Sequence, residues 1–287
     1  MSFVVSARKW LNAEGVFRWY RLAAIILLVC TMSGYAQTSA TQAEKKQLGS
    51  KTAKGGFRNE DAIRDKFNSW QDDADAKNWL IEMGYELKDV TSVVAAKPHG
   101  DKADVVVNIK TKQGEHREGI SIKLVSGKSG FNQIDKRWLS QYVKMWRMPD
   151  DVKVAMQLFL GETAPTKTSR RPERMYLNEL EKDVQTSVLE FFKYRKDEIV
   201  SDLLIGDGAN KADRFMVVSH GGDDVRWKIV KAEAAAKFFG EGDVVMTRSG
   251  NLRIGRISMQ RKGGDGGRDT AKMLQFKLDP TDIFEMK

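Results

Sequence analysis

The sequence predicts an α/β (α+β) protein with a β-rich C-terminal part. Three observations carry this expectation. Apolar residues recur at helical spacing over 56–70 and 132–146, apolar and polar residues alternate over 104–109 and 119–125, and short strand-like runs fill most of the last third. With 41% hydrophobic residues in 287, the chain has ample material for a folded core.

The elements follow in order. In "GFRNEDAIRDKFNSW" (56–70), Ile63, Phe67 and Trp70 fall on one helical stripe, with Asn59 as a candidate N-cap. Glu60 lies close to that stripe, where a carboxylate needs a partner or an ion. A second helix over 74–83 stops at Gly84. "DVVVNI" (104–109) and "GISIKLV" (119–125) read as a hairpin around "KQGE". Over 132–146, Ile134, Trp138, Leu139, Tyr142, Met145 and Trp146 predict an amphipathic helix whose aromatics pack in the core. "TAPTKTSRRPER" (163–174) is a loop, followed by helices over 176–194 and 197–204. Strands are expected over 215–219, 226–229, 243–247, 252–260 and 273–278, with a helix over 231–239. Within 252–260 the apolar phase shifts from Leu252 and Ile254 to Ile257 and Met259, which predicts a bulge near Gly255. No repeat or long linker divides the chain after residue 50, so 48–287 reads as one domain.

The net charge of +9 is uneven. From Arg248 to Lys277 eight basic residues stand against Asp265 and Asp269. A basic segment on a near-neutral body points to a polyanion, because clustered Lys and Arg gain free energy by releasing phosphate counterions; a solvated strand edge fits the same residues. Cys30 is the only cysteine, and there are three histidines. Composition therefore excludes an intramolecular disulfide and a Cys-rich zinc site, and leaves oxygen ligands, which favour magnesium-like ions, for any metal.

Residues 1–47 stand apart from the domain. A basic start, the apolar run "LAAIILLVCTM" and the small-residue end "GYA" have the grammar of a secretory signal, and the run is shorter than the about 20 residues that span a bilayer. The competing expectation is a misassigned extension, with the natural start at Met32. Residues 37–56 are a polar linker or lead-in.

Asp104 opens one strand of the hairpin, and Ser121 and Lys123 share a face of the next. An oxygen-ligated metal beside a lysine is what phosphodiester hydrolysis needs: the ion neutralises developing phosphate charge and lowers the pKa of its water, while the ammonium orients that water. By spacing alone, the same residues fit an ordinary solvated sheet face. The order Asp…x-x-Lys on a hairpin, preceded by a helix carrying Glu60, resembles the PD-(D/E)XK nucleases, and among them the type II restriction endonucleases. The runs "GSKTAKGGFRNE", "KLVSGKSGFNQIDKRWL" and "QRKGGDGGRDTAKMLQFKLDPTDIF" are similar to those of restriction enzymes that cut the short palindrome GCGC, and the resemblance covers 48–287.

The resemblance implies a nuclease-like mixed central sheet flanked by helices, and a magnesium-dependent endonuclease that hydrolyses both strands of a short GC-rich palindrome. It implies that Asp104 binds the metal, that Lys123 is the catalytic lysine, that Glu60 is a supporting carboxylate and that the Ile122 carbonyl is a further ligand. Ser121 takes a position that is acidic in most of the superfamily and a glutamine in GCGC-cutting relatives; serine is shorter and binds a cation less strongly than a carboxylate. The segment with Gly127, Gly130 and a helix start at Asn132 is expected to enter DNA, its N–H groups approaching phosphates while Gln133 and Lys136, one helical turn apart, meet base edges. "QRKGGDGGR" (260–268) is the expected second reading loop, with Gln260, Arg261, Lys262 and Arg268 as donors. The implied partners are double-stranded DNA and, functionally, the DNA methyltransferase of the same system, the enzyme acting as a homodimer or as a monomer that nicks in sequence. Such a role places the protein in the cytoplasm and favours Met32 over export. A repair or junction nuclease of the same superfamily, and a DNA-binding protein whose metal site is lost at Ser121, are the rivals.

Overall fold

The predicted hairpin stands at the centre of one of two sheets. In a computed structural model, which describes residues 55–56, 58–99, 102–126, 131–221, 224–264 and 268–286, helices α1 (58–68) and α2 (Ala74–Glu82) lead into β1 (Val90–Ala96), β2 (Val105–Thr111) and β3 (Gly114–Val125). α2 starts where the Asp73 carboxylate accepts the Ala76 N–H at 2.9 Å, an N-cap bond. β4 (Asn132–Arg137) and helices α3 (Leu139–Met145), α4 (Asp150–Leu160), α5 (Lys182–Tyr194) and α6 (Lys196–Leu204) follow. Then come β5 (Arg214–Gly221), β6 (Asp224–Lys231), α7 (Ala232–Gly240), β7 (Val244–Met246), β8 (Leu252–Ile254), β9 (Ile257–Arg261) and β10 (Leu274–Leu278).

The first sheet has the order β1-β2-β3-β5-β6 and is mixed, with β3 and β5 parallel and the other pairs antiparallel. A parallel pair needs a crossover, and here it carries α3 to α6. Inner strands covered on both faces read as apolar runs, which is why "DVVVNI" and "FMVVS" are so rich in valine. Ile63 and Phe67 of α1 and Trp79 and Leu80 of α2 pack with Ile120, Ile122, Met216 and Val218 in one core. A second core joins Phe215 and Val217 to α3, α4, α5, α6 and α7 and to the second sheet, whose order is β4-β10-β9-β8-β7 and which is antiparallel throughout. The result is the expected mixed α+β fold, two sheets flanked by helices. Among the described residues, no helix is long and apolar enough to cross a membrane.

Three expectations are corrected. The helix expected over 132–146 is a strand, β4, followed by the short helix α3. Only Leu139, Tyr142 and Trp146 of its apolar stripe are buried at helical spacing; pairing with β10 takes the first six residues into the sheet. The bulge expected at Gly255 is a chain reversal: β8 and β9 pair antiparallel, with Ile254 facing Ile257 across Gly255 and Arg256. Gly255 has φ +56°, and a Cβ there would lie 2.6 Å from the Gly240 carbonyl oxygen, so glycine is required on both counts. Asn59 lies inside α1 rather than at its cap. The N-terminal leader and most of its polar linker, Gly127, Gly130 and residues 265–267 of the glycine-rich loop lie outside the described residues.

Candidate active site and polar sheet face

Asp104 is fixed at the entry of β2, its N–H donating to the Ile120 carbonyl at 2.9 Å. Its Oδ2 accepts the Ile122 N–H at 2.6 Å and the Ser121 hydroxyl at 3.4 Å, while Oδ1 accepts no hydrogen bond among the described residues. Lys123 Nζ lies 3.1 Å from the Ile122 carbonyl and 3.7 Å from Asp104 Oδ2. Ser121 is 2% exposed and the Lys123 side chain 16%, so this face of β3 is not the solvated one that spacing alone allowed. A charge held there must be paired, and Asp104 is the partner.

Glu60 comes in from α1. Lys97 Nζ stands 2.9 Å from its Oε2 and 3.2 Å from Asp61. Burial pushes the Glu60 carboxyl above its ordinary value; Lys97 opposes that shift, the Asp104 charge adds to it and Lys123 opposes it, which places Glu60 within electrostatic reach of both hairpin residues. Lys97 was not read from the sequence. It follows β1, itself missed, and its only signal was a lysine set just past a short apolar run.

Asp104, the Ile122 carbonyl and Glu60 are a set of oxygen donors, the kind that holds a hard divalent cation. The Lys123 ammonium reaches two of these oxygens at once, so both already face a positive charge, and the residues fit such an ion. Ser121 donates a hydrogen bond to Asp104 and keeps its oxygen lone pairs. Among the described residues no cluster of three or more His, Cys, Asp or Glu converges, so the ion would rest on carboxylate and carbonyl together.

The second group of predicted residues lies on the second sheet. Gln133 and Lys136 share a face, but not through a helix. In the pairing of β4 with β10, Lys136 opposes Gln275, Asp135 opposes Phe276 and Gln133 opposes Lys277, so Ile134 is an extra residue. This bulge puts residues three apart on the same side. Gln260 opposes Gln275 from β9 and joins them. Gln275 Nε2 donates to Gln133 Oε1 at 2.6 Å, and Gln260 Nε2 donates to Gln275 Oε1 at 3.3 Å. The opposite face carries Leu274, Phe276, Leu278 and Met259 into the core.

Asn132 donates to the Leu124 carbonyl at 3.4 Å, tying β4 to the end of β3. Arg261 opposes Leu274, so it belongs to the core side, where its guanidinium donates to the Leu160 carbonyl at 2.8 Å and burial lowers its pKa. Lys262 is half-buried and Arg268 exposed, and they stand on either side of the glycine-rich loop, of which residues 265–267 lie outside the described residues. Gln275 was missed, although the alternation of "LQFKL" announced a polar side to β10.

Lys102 connects the two groups. Two residues before Asp104, it donates to the Ile134 carbonyl at 3.1 Å and reaches Asp135 Oδ2 at 3.4 Å, on the bulge itself. Asp135 also accepts the Tyr142 hydroxyl at 2.5 Å and Arg137 at 2.9 Å.

Residues 83–284 match the family described as R.HinP1I restriction endonuclease, a span that holds Asp104, Ser121, Lys123, β4 and the second sheet. The chain belongs to the R.HinP1I restriction endonuclease family. It is a type II site-specific deoxyribonuclease, a hydrolase that binds DNA and cuts it at a defined sequence, and enzymes of this kind generally use divalent metal ions. The fold is similar to that in a crystal structure of restriction endonuclease MspI in complex with its cognate DNA, with a TM-score of 0.51 and 12% identity over 74% of this chain and 80% of that one. A comparison with curated protein sequences returns no match.

Proposed function

We propose that this R.HinP1I-family enzyme is a PD-(D/E)XK nuclease that cuts both strands of duplex DNA at GCGC with magnesium, leaving a 5′-phosphate. The observation that carries the reading is that the Lys123 ammonium meets both the Asp104 carboxylate and the Ile122 carbonyl, within the span matched by the family. A magnesium ion held by Asp104 and the Ile122 carbonyl, with Ser121 and Glu60 in support, would neutralise phosphate charge and acidify water. Lys123 orients the attacking water and the scissile phosphate, and Ser121 holds the Asp104 carboxylate by its hydrogen bond. Lys97 pairs with Glu60 and opposes the rise that burial imposes on its carboxyl. Gln133, Lys136 and Gln260 meet base edges in the major groove and Lys262 and Arg268 hold the flanking DNA backbone, while Asn132 and Arg261 brace β4 and β9 from the core side through the Leu124 and Leu160 carbonyls.

A DNA methyltransferase of the same system would protect the host site, and the enzyme works in the cytoplasm as a monomer or homodimer. Plasmid cleavage with and without magnesium, followed by sequencing of the ends, tests the reading. Ends that map to GCGC only when magnesium is present are the expected result. Equal cutting in a chelator, or ends with no shared sequence, would overturn it.

A further inference from the structure

We infer that Gln275, a residue too buried to touch DNA, fixes which hydrogen-bonding group Gln133 and Gln260 each turn outward, and so sets the base preference of the enzyme. The inference rests on the reading of this sheet face as the base-reading surface.

Gln275 is 6% exposed and lies on β10 between the strands that carry the other two amides. Its own amide is held at both ends along the row: the nitrogen donates to Gln133 Oε1 and the oxygen accepts from Gln260 Nε2. An amide has one oxygen end and one nitrogen end, so a bond made by one end turns the other away. The Gln133 oxygen is held inward, and its amino group makes no other hydrogen bond among the described residues. The Gln260 nitrogen is held inward, and its oxygen accepts none among them. The row is therefore polar, with a donor at one end and an acceptor at the other. Because Gln275 both gives and accepts one bond, the two ends cannot show the same group.

The chemistry of each end names a base. The Gln133 amino group stands with Lys136, which faces the same side across from Gln275. Two donors together match guanine, whose major-groove edge offers the O6 and N7 acceptors. The Gln260 oxygen matches the N4 amino group of cytosine. Two strand spacings, with a two-residue stagger because Gln133 opposes Lys277, separate the ends by about 10–12 Å, three to four base-pair steps at about 3.4 Å each. The ends thus address different positions of one short GC-rich site.

Gln275→Glu breaks the polarity with little change in volume, because a carboxylate only accepts. Gln133 then turns its amino group inward and shows its oxygen to the guanine acceptors, while Gln260 is unchanged. The test is selection of bound duplexes from a library with a randomised centre, in calcium at pH 8, so that activity is not needed. Gln275→Glu should lower the preference for guanine over adenine at one position by at least about tenfold and leave the position read by Gln260 intact. Gln275→Met, which makes neither bond, should relax both positions without reversing either.

Gln133→Ala is run in parallel. Loss of preference in Gln133→Ala with wild-type preference in both Gln275 variants overturns the relay and leaves the base-reading face standing. Wild-type preference in all three variants removes the base-reading face, and the relay with it. Weaker binding to every sequence alike in the Gln275 variants also overturns the relay.

Discussion

Asp135→Asn should destabilise the protein by about 2–4 kcal/mol, and removing Lys102 as well should recover part of that loss. The Asp135 side chain is 7% exposed and balances Lys102, 12% exposed, and Arg137, 27% exposed. Asp202 supplies the second carboxylate, 3.8 Å from Arg137 and bonded to the Trp146 indole at 3.2 Å. Four charges therefore cancel in a largely buried pocket. Burial pushes the Lys102 ammonium below its ordinary pKa, and Asp135 is the chief group opposing that shift. With asparagine at 135, Lys102 faces a neutral amide and one carbonyl. Arg137 keeps Asp202 and some solvent, which holds the cost below the top of the range for a broken buried pair, about 3–5 kcal/mol.

Lys102→Met takes one donor from a carboxylate that retains Tyr142 and Arg137, and should cost about 1 kcal/mol. The double variant returns to one cation and one carboxylate, and should be at least about 1 kcal/mol more stable than Asp135→Asn alone. Urea unfolding of the four proteins measures the cycle. A double variant as unstable as the sum of the two single losses would refute the charge-balance argument. Because Lys102 holds the Ile134 carbonyl, the Lys102→Met variant should also loosen the bulge that aligns Gln133 with Lys136.

Gln133→Ala or Lys136→Ala should weaken binding to the preferred site by about 1–3 kcal/mol and relax its sequence; competition against unrelated duplexes checks this, and uniform weakening with a shallower salt dependence would make them phosphate contacts. Ser121→Glu should lower the magnesium concentration for half-maximal cleavage at saturating DNA, because it adds a carboxylate beside Asp104; an unchanged midpoint and plateau would put position 121 outside the cation's shell. Burial raises the Glu179 carboxyl, but the N–H groups of Tyr176 and Arg170, the Ser169 hydroxyl and the Arg170 guanidinium outweigh it and hold the pKa at about 2 against an ordinary 4.5. A lowered folded pKa gives stability that is present above the ordinary value and is lost as pH falls toward about 2. Glu179→Gln should therefore flatten the loss of stability on acidification below about pH 5, as read from denaturant midpoints; a fall as steep as in the natural protein would contradict it.

The central hairpin was legible because strand alternation is local: Val105, Val107 and Ile109 mark one face, and the turn after Thr111 follows from "KQGE". The burial of Ser121 and Lys123 was not, because it depends on β5 arriving from beyond residue 213 to pair with β3. β4 was misread for the same reason. "NQIDKRWLSQYVKMW" has a helical period along its whole length, and only β10, more than a hundred residues later, draws its first part into a sheet. The pairing of Gln133 with Lys136 on one face was expected from helical spacing and is produced instead by a bulge, which no local pattern announces. The phase shift at Gly255 was visible, but a bulge and a two-residue reversal leave the same trace in the apolar pattern, and only the left-handed φ of the glycine separates them. Glu60 was flagged by its place near an apolar stripe; Lys97, its counter-charge, sits in a segment with no periodicity to read.

The central claim is that Lys123 acts on the reacting groups and not on the fold or on base edges. Single-turnover cleavage by Lys123→Met, measured beside its binding to the same duplex in calcium, tests this most directly. The account predicts cleavage lost by a factor of at least about a thousand, as when a group that stabilises charge in the transition state is removed, with site-specific binding nearly unchanged. Cleavage at the natural rate, or loss of binding in step with loss of cleavage, would contradict it.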